Sequence, residues 1–332
     1  MKEGKNILEF IEAANRIVIT SHRSPDGDSV GSSLGMMRFL KAIGKDAVIC
    51  HPDPAPAFLN WIKGNDCIWD FETDRERVEE EITKADLIFC LDYNGFDRMG
   101  NEMGALVRGA SAKKVMIDHH PFPDDGFAIS ASYPKACSTS ELILDFMESI
   151  GKSGVLNSAI GSPLYLGIVT DTGSFRFPSV TGQTHRRMGT LLDAGVRHWE
   201  IHEQTFDNNR LDKLRLRGYA MAEKVELLPE YQTAILSLTS EELKRFNYAK
   251  GDTEGLVNSV LSVEGVTMAV SLLETDGKVK ISFRSQGDSA VNEIAADHFG
   301  GGGHKNAAGG VSTEGMEATI EKIKRILPEY RK

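Results

Sequence analysis

Three short apolar runs, each closing on acidic or histidine residues, constrain this chain more than any other feature. IVIT at 17–20 leads into SHRSPDGD, LIFCL at 87–91 into Asp92, and VMI at 115–117 into Asp118, His119 and His120. The runs are short and bounded, the first β-branched throughout, which reads as buried strand. Between them lie stretches of helical periodicity: SVGSSLGMMRFLKAIG, RERVEEEITKA and GNEMGALVRGA. Strands alternating with helices imply a parallel sheet flanked by helices. All carboxyl ends of such a sheet lie along one edge, where ligands bind. The three clusters should therefore converge, however far apart they stand in sequence.

Pro25 and Gly27 stop the first strand and favour a turn, leaving His22, Asp26 and Asp28 on a loop ahead of a helix. An Asx turn with a helix cap accounts for Asp28 or Ser29 alone. It leaves His22 and Asp26 unexplained. Burying this many carboxylates together without a cation is very costly, so the convergence argues for metal.

Further along, DAVICH reads as a strand, and STSELILDFMESIG, NSAIGSPLYLGIVTDTG and QTHRRMGTLLDAG as helices. Residues 201–226 are polar and helical, with Arg210, Lys213, Arg215 and Arg217 close together, and read as a connecting helix whose charges form a solvated face. Then come the strand YQTAILSL, the helix TSEELKRF, and a hairpin of VTMAVSLLE and KVKISFRS around TDGK. The helix VNEIAADHF runs into GGGGH and AAGGVS, and EGMEATIEKIKRIL closes as a helix. The expected architecture is α/β: a catalytic domain at 1–200, a helical linker at 201–226, and a smaller mixed α/β domain at 227–332 across a cleft.

A chain of 332 residues can build two cores. Cys50, Cys67, Cys90 and Cys137 show no CxxC spacing, so neither a zinc knuckle nor a disulfide framework is expected. No signal-peptide pattern and no apolar segment near the ~20 residues of a bilayer span is present, which gives a cytoplasmic default without membrane association. The net charge of −10 argues against a grip on long nucleic acid, duplex included, because phosphate neutralisation supplies most of that affinity. An anionic substrate must be small, or held by local positive charge such as a bound metal.

With these residues in place, the sequence resembles the DHH phosphoesterases. SHRSPDGDSVGSSLG, LDY, DHHP and GIVTDTGSF look like four of the family's motifs in order, and FGGGGHKNAAGG looks like its associated C-terminal domain. The likeness runs over nearly the whole chain and is nearest to the branch of oligoribonucleases and pAp phosphatases, rather than to the longer RecJ-type exonucleases. It implies two divalent ions: His22 and Asp26 on one, Asp28, His119 and Asp171 on the other, and Asp92 bridging. Oxygen-rich coordination with two imidazoles and no thiolate favours Mn²⁺, with Mg²⁺ allowed. Two such ions about 3.5–4 Å apart can share a hydroxide and clamp an in-line displacement at phosphorus. Asp118 is expected to orient a ligating histidine, and His120 to contact the scissile phosphate, as the acid for the leaving oxygen.

Arg284 and Ser285 in SFRS, with Gly301, Gly302, Gly303 and His304, are implied as the hold on the substrate's terminal phosphate, the glycines as a backbone anion nest and the arginine as a fork. Asn258 is placed near them. The substrates implied are short RNA, linear dinucleotides or pAp, and a homodimer is compatible with the reading. The rivals are a polyphosphatase or pyrophosphatase-like hydrolase, a nucleotide-binding protein without catalysis, and a C-terminal domain that contributes nucleic-acid affinity alone.

Overall fold

The computed structural model describes residues 1–331. The chain divides into two compact units, Met1–Asn208 and the chain from Asn209 onward. The first holds six parallel strands: β1 (Ile17–Thr20), β2 (Ala47–His51), β3 (Ile68–Asp70), β4 (Leu87–Leu91), β5 (Lys113–Asp118) and β6 (Ile129–Ser132). Their spatial order is β3-β2-β1-β4-β5-β6. The chain thus winds outward one way from β1 and the other way from β4. That reversal opens a crevice at the carboxyl ends of β1 and β4, the switch point where ligands bind in doubly wound sheets.

The unbroken apolar runs follow from burial on both faces. Ile17, Ile19, Phe89, Val115 and Ile117 pack into one core, while Val18, Ile88, Cys90 and Met116 pack into the other. β3 and β6 escape a reading by hydrophobicity, being short, and in the case of β6 (ISAS) mostly small and polar.

Two helices set the site's other wall. Gly27–Ala42 and Ser158–Asp171 lie close enough that a Cβ on Gly31 would stand 2.4 Å from the Pro163 carbonyl oxygen. A Cβ on Gly27 would stand 2.3 Å from Thr170 Oγ1, and one on Gly35 2.3 Å from Leu164 Cδ2. Glycines four apart share one helix face, which lets the backbones approach. Pro163 lies inside its helix and has no N–H for the Ala159 carbonyl, four residues back. Arg38 of the facing helix donates to that carbonyl instead.

The second unit holds β7 (Val225–Leu228), β8 (Thr233–Leu238), β9 (Met268–Thr275), β10 (Lys278–Ser285), β11 (Gly302–His304) and β12 (Ala307–Ser312), in the order β11-β12-β10-β9-β8-β7. β8 and β9 pair parallel and the other neighbours antiparallel. The expected β9–β10 hairpin turns on Asp276 and Gly277, both at positive φ, as a two-residue turn requires. In place of one helix over 201–226 there are two, His198–Thr205 and Leu211–Glu223. The latter buries Leu216 and Ala220 in the second unit's core. Its charges are not all a solvated face either: Arg210 pairs with Asp252, and Arg217 donates to Glu254 O and Ser259 Oγ. No described helix is long and apolar enough to cross a membrane, and all four cysteines are unpaired thiols.

Candidate metal centre

The loop after β1 supplies the first donors. His22 Nδ1 lies 2.8 Å from the Arg23 carbonyl, so that nitrogen carries the proton and Nε2 faces the crevice. Asp26, rather than Asp28 or Ser29, is the cap of helix Gly27–Ala42: its Oδ1 accepts from the Asp28 and Ser29 amides, each at 3.0 Å. Its Oδ2 stands 3.9 Å from His22 Nε2. One carboxylate therefore caps the helix and faces the imidazole.

Asp92 follows β4 at φ +64°, a conformation that residues other than glycine seldom hold. The turn aims its two oxygens apart. Oδ2 lies 3.3 Å from His22 Nε2, and Oδ1 lies 3.4 Å from His119 Nε2. Asp28, in the first turn of its helix, accepts from the backbone amides of Thr139 (2.6 Å) and Ser140 (2.9 Å). These open the helix Thr139–Ser149, whose unsatisfied N–H groups suit an anion. The Thr139 hydroxyl also donates to Asp92 Oδ1 at 3.0 Å.

Asp171 is the last residue of Ser158–Asp171 and stands 3.4 Å from His119 Nε2. An acid at a helix C-terminus opposes the macrodipole, so its place calls for positive charge nearby. The clusters with ligand atoms within 4.8 Å of one another include His22, Asp26 and Asp92; Asp28, His119 and Asp171; and Asp92, Asp118 and His120.

Asp118 is fully buried and pairs at 2.7 Å with Nδ1 of His120, and its Oδ2 has no hydrogen-bond partner. The pairing fixes the His120 ring and turns its Nε2 edge away from the carboxylate.

The charges show what the centre lacks. Burial, then the nearby Asp92 and Asp171 carboxylates, pushes Asp28 well above the usual carboxylate range. Burial likewise lifts Asp171 to about 6, against the pull of His119. Burial opposes the charge on Asp92 too, but hydrogen bonds from His119 and His22 outweigh it and hold that carboxyl well below its usual range. Burial acts to lower His22, yet Asp92 and Asp26 raise it to about 9. The cluster draws protons because it is short of positive charge, and divalent cations held by these donors would meet the same demand.

Sequence reasoning missed the supports. Thr139 and Ser140 hold Asp28 through their amides, and the Thr139 hydroxyl holds Asp92. The signal was present as a capping pattern in STSEL: Ser138 Oγ accepts from the Glu141 amide, and Glu141 Oε2 accepts from the Cys137 amide. Buried Asp53 was also missed; it accepts from the Ser24 amide at 2.7 Å and shapes the first loop.

In the second unit, Arg284 lies opposite Ala307, and Ala307 opposite His304, so the arginine and histidine share one row and one face across three strands. Ser285 alternates to the other face; its hydroxyl donates to Ser289 O and accepts from Asn306. The glycines are required by the hairpin: a Cβ on Gly301 would meet Gly309 O at 1.8 Å, and one on Gly303 would meet Ala307 O at 2.4 Å. Gly302 pairs with Gly309 in the same ladder. The tract is a strand of an ordered sheet, not a linker. Asn258 lies in the helix Leu256–Leu261.

The DHH family, N-terminal domain, matches residues 16–168, and the DHHA1 domain matches residues 231–330. The bifunctional oligoribonuclease and PAP phosphatase NrnA of Thermus thermophilus is 29% identical over 100% of this chain and 93% of its own. The protein of the same name from Bacillus subtilis is 25% identical over 91% of each. The crystal structure of an exopolyphosphatase-related protein from Bacteroides fragilis superposes with a TM-score of 0.94 at 36% identity, over 99% of this chain and 96% of that one.

Proposed function

The chain belongs to the DHH family, and from that premise we propose that it is a metal-dependent phosphoesterase that hydrolyses short RNA oligonucleotides or linear dinucleotides to mononucleotides, and pAp to AMP. The observation that carries the reading is Asp92, whose two oxygens face two separate imidazole–carboxylate sets. The names of the Thermus and Bacillus relatives, which match along nearly their whole lengths, support the substrate class.

In this reading His22, Asp26 and Asp92 hold one divalent cation, and Asp28, His119, Asp171 and Asp92 a second. The donor set favours Mn²⁺, with Mg²⁺ as a substitute. Bound there, the cations supply Lewis acidity toward the phosphoryl oxygens and acidify the attacking water. His120 supplies the proton for the leaving oxygen from Nε2, while Asp118 holds the ring from Nδ1 and stabilises the imidazolium. In the second unit, Arg284, His304 and the backbone of Gly301, Gly302 and Gly303 serve as a hold for a phosphate.

A second reading, hydrolysis of polyphosphate, is favoured by the description of the Bacteroides protein. One assay separates them. The metal-stripped protein is given back Mn²⁺ or Mg²⁺ and offered pAp, pApA, RNA trimers and polyphosphate. Turnover of the nucleotides that needs added metal is the expected result. Turnover of polyphosphate alone establishes the second reading, and tight nucleotide binding without turnover in any metal leaves a sensor.

A further inference from the structure

Four phenylalanines stand on the loops that follow β5 and the helix Ser158–Asp171: Phe122, Phe127, Phe175 and Phe177, of which Phe127 stacks on Phe96 with ring centroids 4.7 Å apart. Phe175 is held at φ +66°, and packing accounts for it: the ring lies against the first unit's core, 5.4 Å from the His185 ring. Phe177 covers Gly173, where a Cβ would meet its ring at 2.6 Å. Phe122 has no such explanation. It is 87% exposed and belongs to neither core of its unit, yet its backbone is held at φ +59°.

A bulky residue in the left-handed region is strained, and such strain persists where the surroundings enforce it. Here they do. Asn94 donates from Nδ2 to the carbonyls of Pro121 (2.6 Å) and Phe122 (3.3 Å), and its own carbonyl accepts from the Asp124 amide at 2.7 Å. The loop after β5 is thereby laced to the loop after β4, two residues beyond Asp92. The ring is presented to solvent by design of the backbone, not by looseness.

We propose that Phe122 is a stacking platform for a nucleobase of the substrate. The inference rests on the nucleotide phosphoesterase reading above and names a contact for the base. Phe122 stands two positions after His120, at most about 7 Å of chain, which is within one nucleoside of a phosphate held at His120. Every base offers a π face, so stacking on a single ring tolerates any sequence, as degradation of mixed short RNA demands.

Phe122→Ala and Phe122→Trp are compared with wild type on pApA and on its abasic counterpart, the same sugar-phosphate without bases. The expected result is that Phe122→Ala lowers the ratio of kcat/KM between the two substrates about tenfold, through KM, with metal content intact, and that Phe122→Trp restores it. An unchanged ratio, or equal loss on both substrates, overturns the platform. Binding gives a readout independent of turnover: AMP should quench the added indole of Phe122→Trp relative to wild type, and ribose 5-phosphate should not. Quenching by both or by neither also overturns it. Quenching by AMP alone in a protein that hydrolyses no nucleotide would leave the platform standing and remove the phosphoesterase reading.

Discussion

Asp92 combines full burial, a left-handed backbone and two oxygens aimed at different imidazoles. Removing its charge should therefore disturb both donor sets at once. Asp92→Asn keeps the shape, and is expected to bind neither metal at wild-type strength and to lose more than about a hundredfold in kcat, read by metal analysis and by hydrolysis of pApA. Thr139 is the subtler case, because its amide holds Asp28 and its hydroxyl holds Asp92. Thr139→Val removes the hydroxyl alone. Metal affinity, measured by calorimetry, should fall about 10–100-fold, and Thr139→Ser should recover it. A Val variant with wild-type affinity would reduce that hydrogen bond to a bystander.

At the scale of elements, the pairing of Gly27–Ala42 with Ser158–Asp171 brings Asp28 and Asp171 to one place. Gly31→Ala would press a Cβ against the Pro163 carbonyl, which is backbone and cannot swing aside. The expected loss is about 1–3 kcal/mol in denaturant unfolding, with weaker metal binding as the helices part. Gly35→Ala meets a flexible Leu164 side chain and should cost less. In the second unit, Glu242 closes a capping box with Thr239, accepts from Tyr219 at 2.6 Å and pairs with Lys224 at 2.8 Å. Burial alone would raise its carboxyl, but Lys224 and Tyr219 prevail and hold it down to about 2. Its folded value lies below the unfolded one near 4.5, so its contribution is complete above about 4.5 and is lost as pH falls toward 2. Glu242→Gln should lower stability by about 1–2 kcal/mol at pH 7 and flatten the acid limb of the stability–pH curve.

For the molecule as a whole, the net charge of −10 sets which substrates approach readily. A long polyanion meets net repulsion, whereas a short one meets chiefly the local field of the centre. RNA of two to five nucleotides should be cut faster than RNA of about twenty, and added salt should narrow the gap by screening. Equal rates at low salt would point to an extended binding track instead.

The clusters were legible in sequence because each follows a strand that hydrophobic runs mark locally. A parallel sheet obliges strand ends to share an edge, so His22, Asp26, Asp28, Asp92, Asp118, His119 and His120 are expected together from sequence, whereas their division into metal donors rests on the family resemblance. The β9–β10 hairpin turn and the alternation of helix and strand were readable for the same reason, since each depends on neighbours a few residues away. What joins Thr139 to Asp28 across 111 residues is of another kind. So are the pairing of Asp118 with His120 in preference to His119, the seating of Leu216 in the second core beneath a row of charges, and the exposure of Phe122. Periodicity reports which residues are buried. Strand order, helix approach and rotamer decide which buried or strained group meets which, and those are settled only when the whole chain has packed.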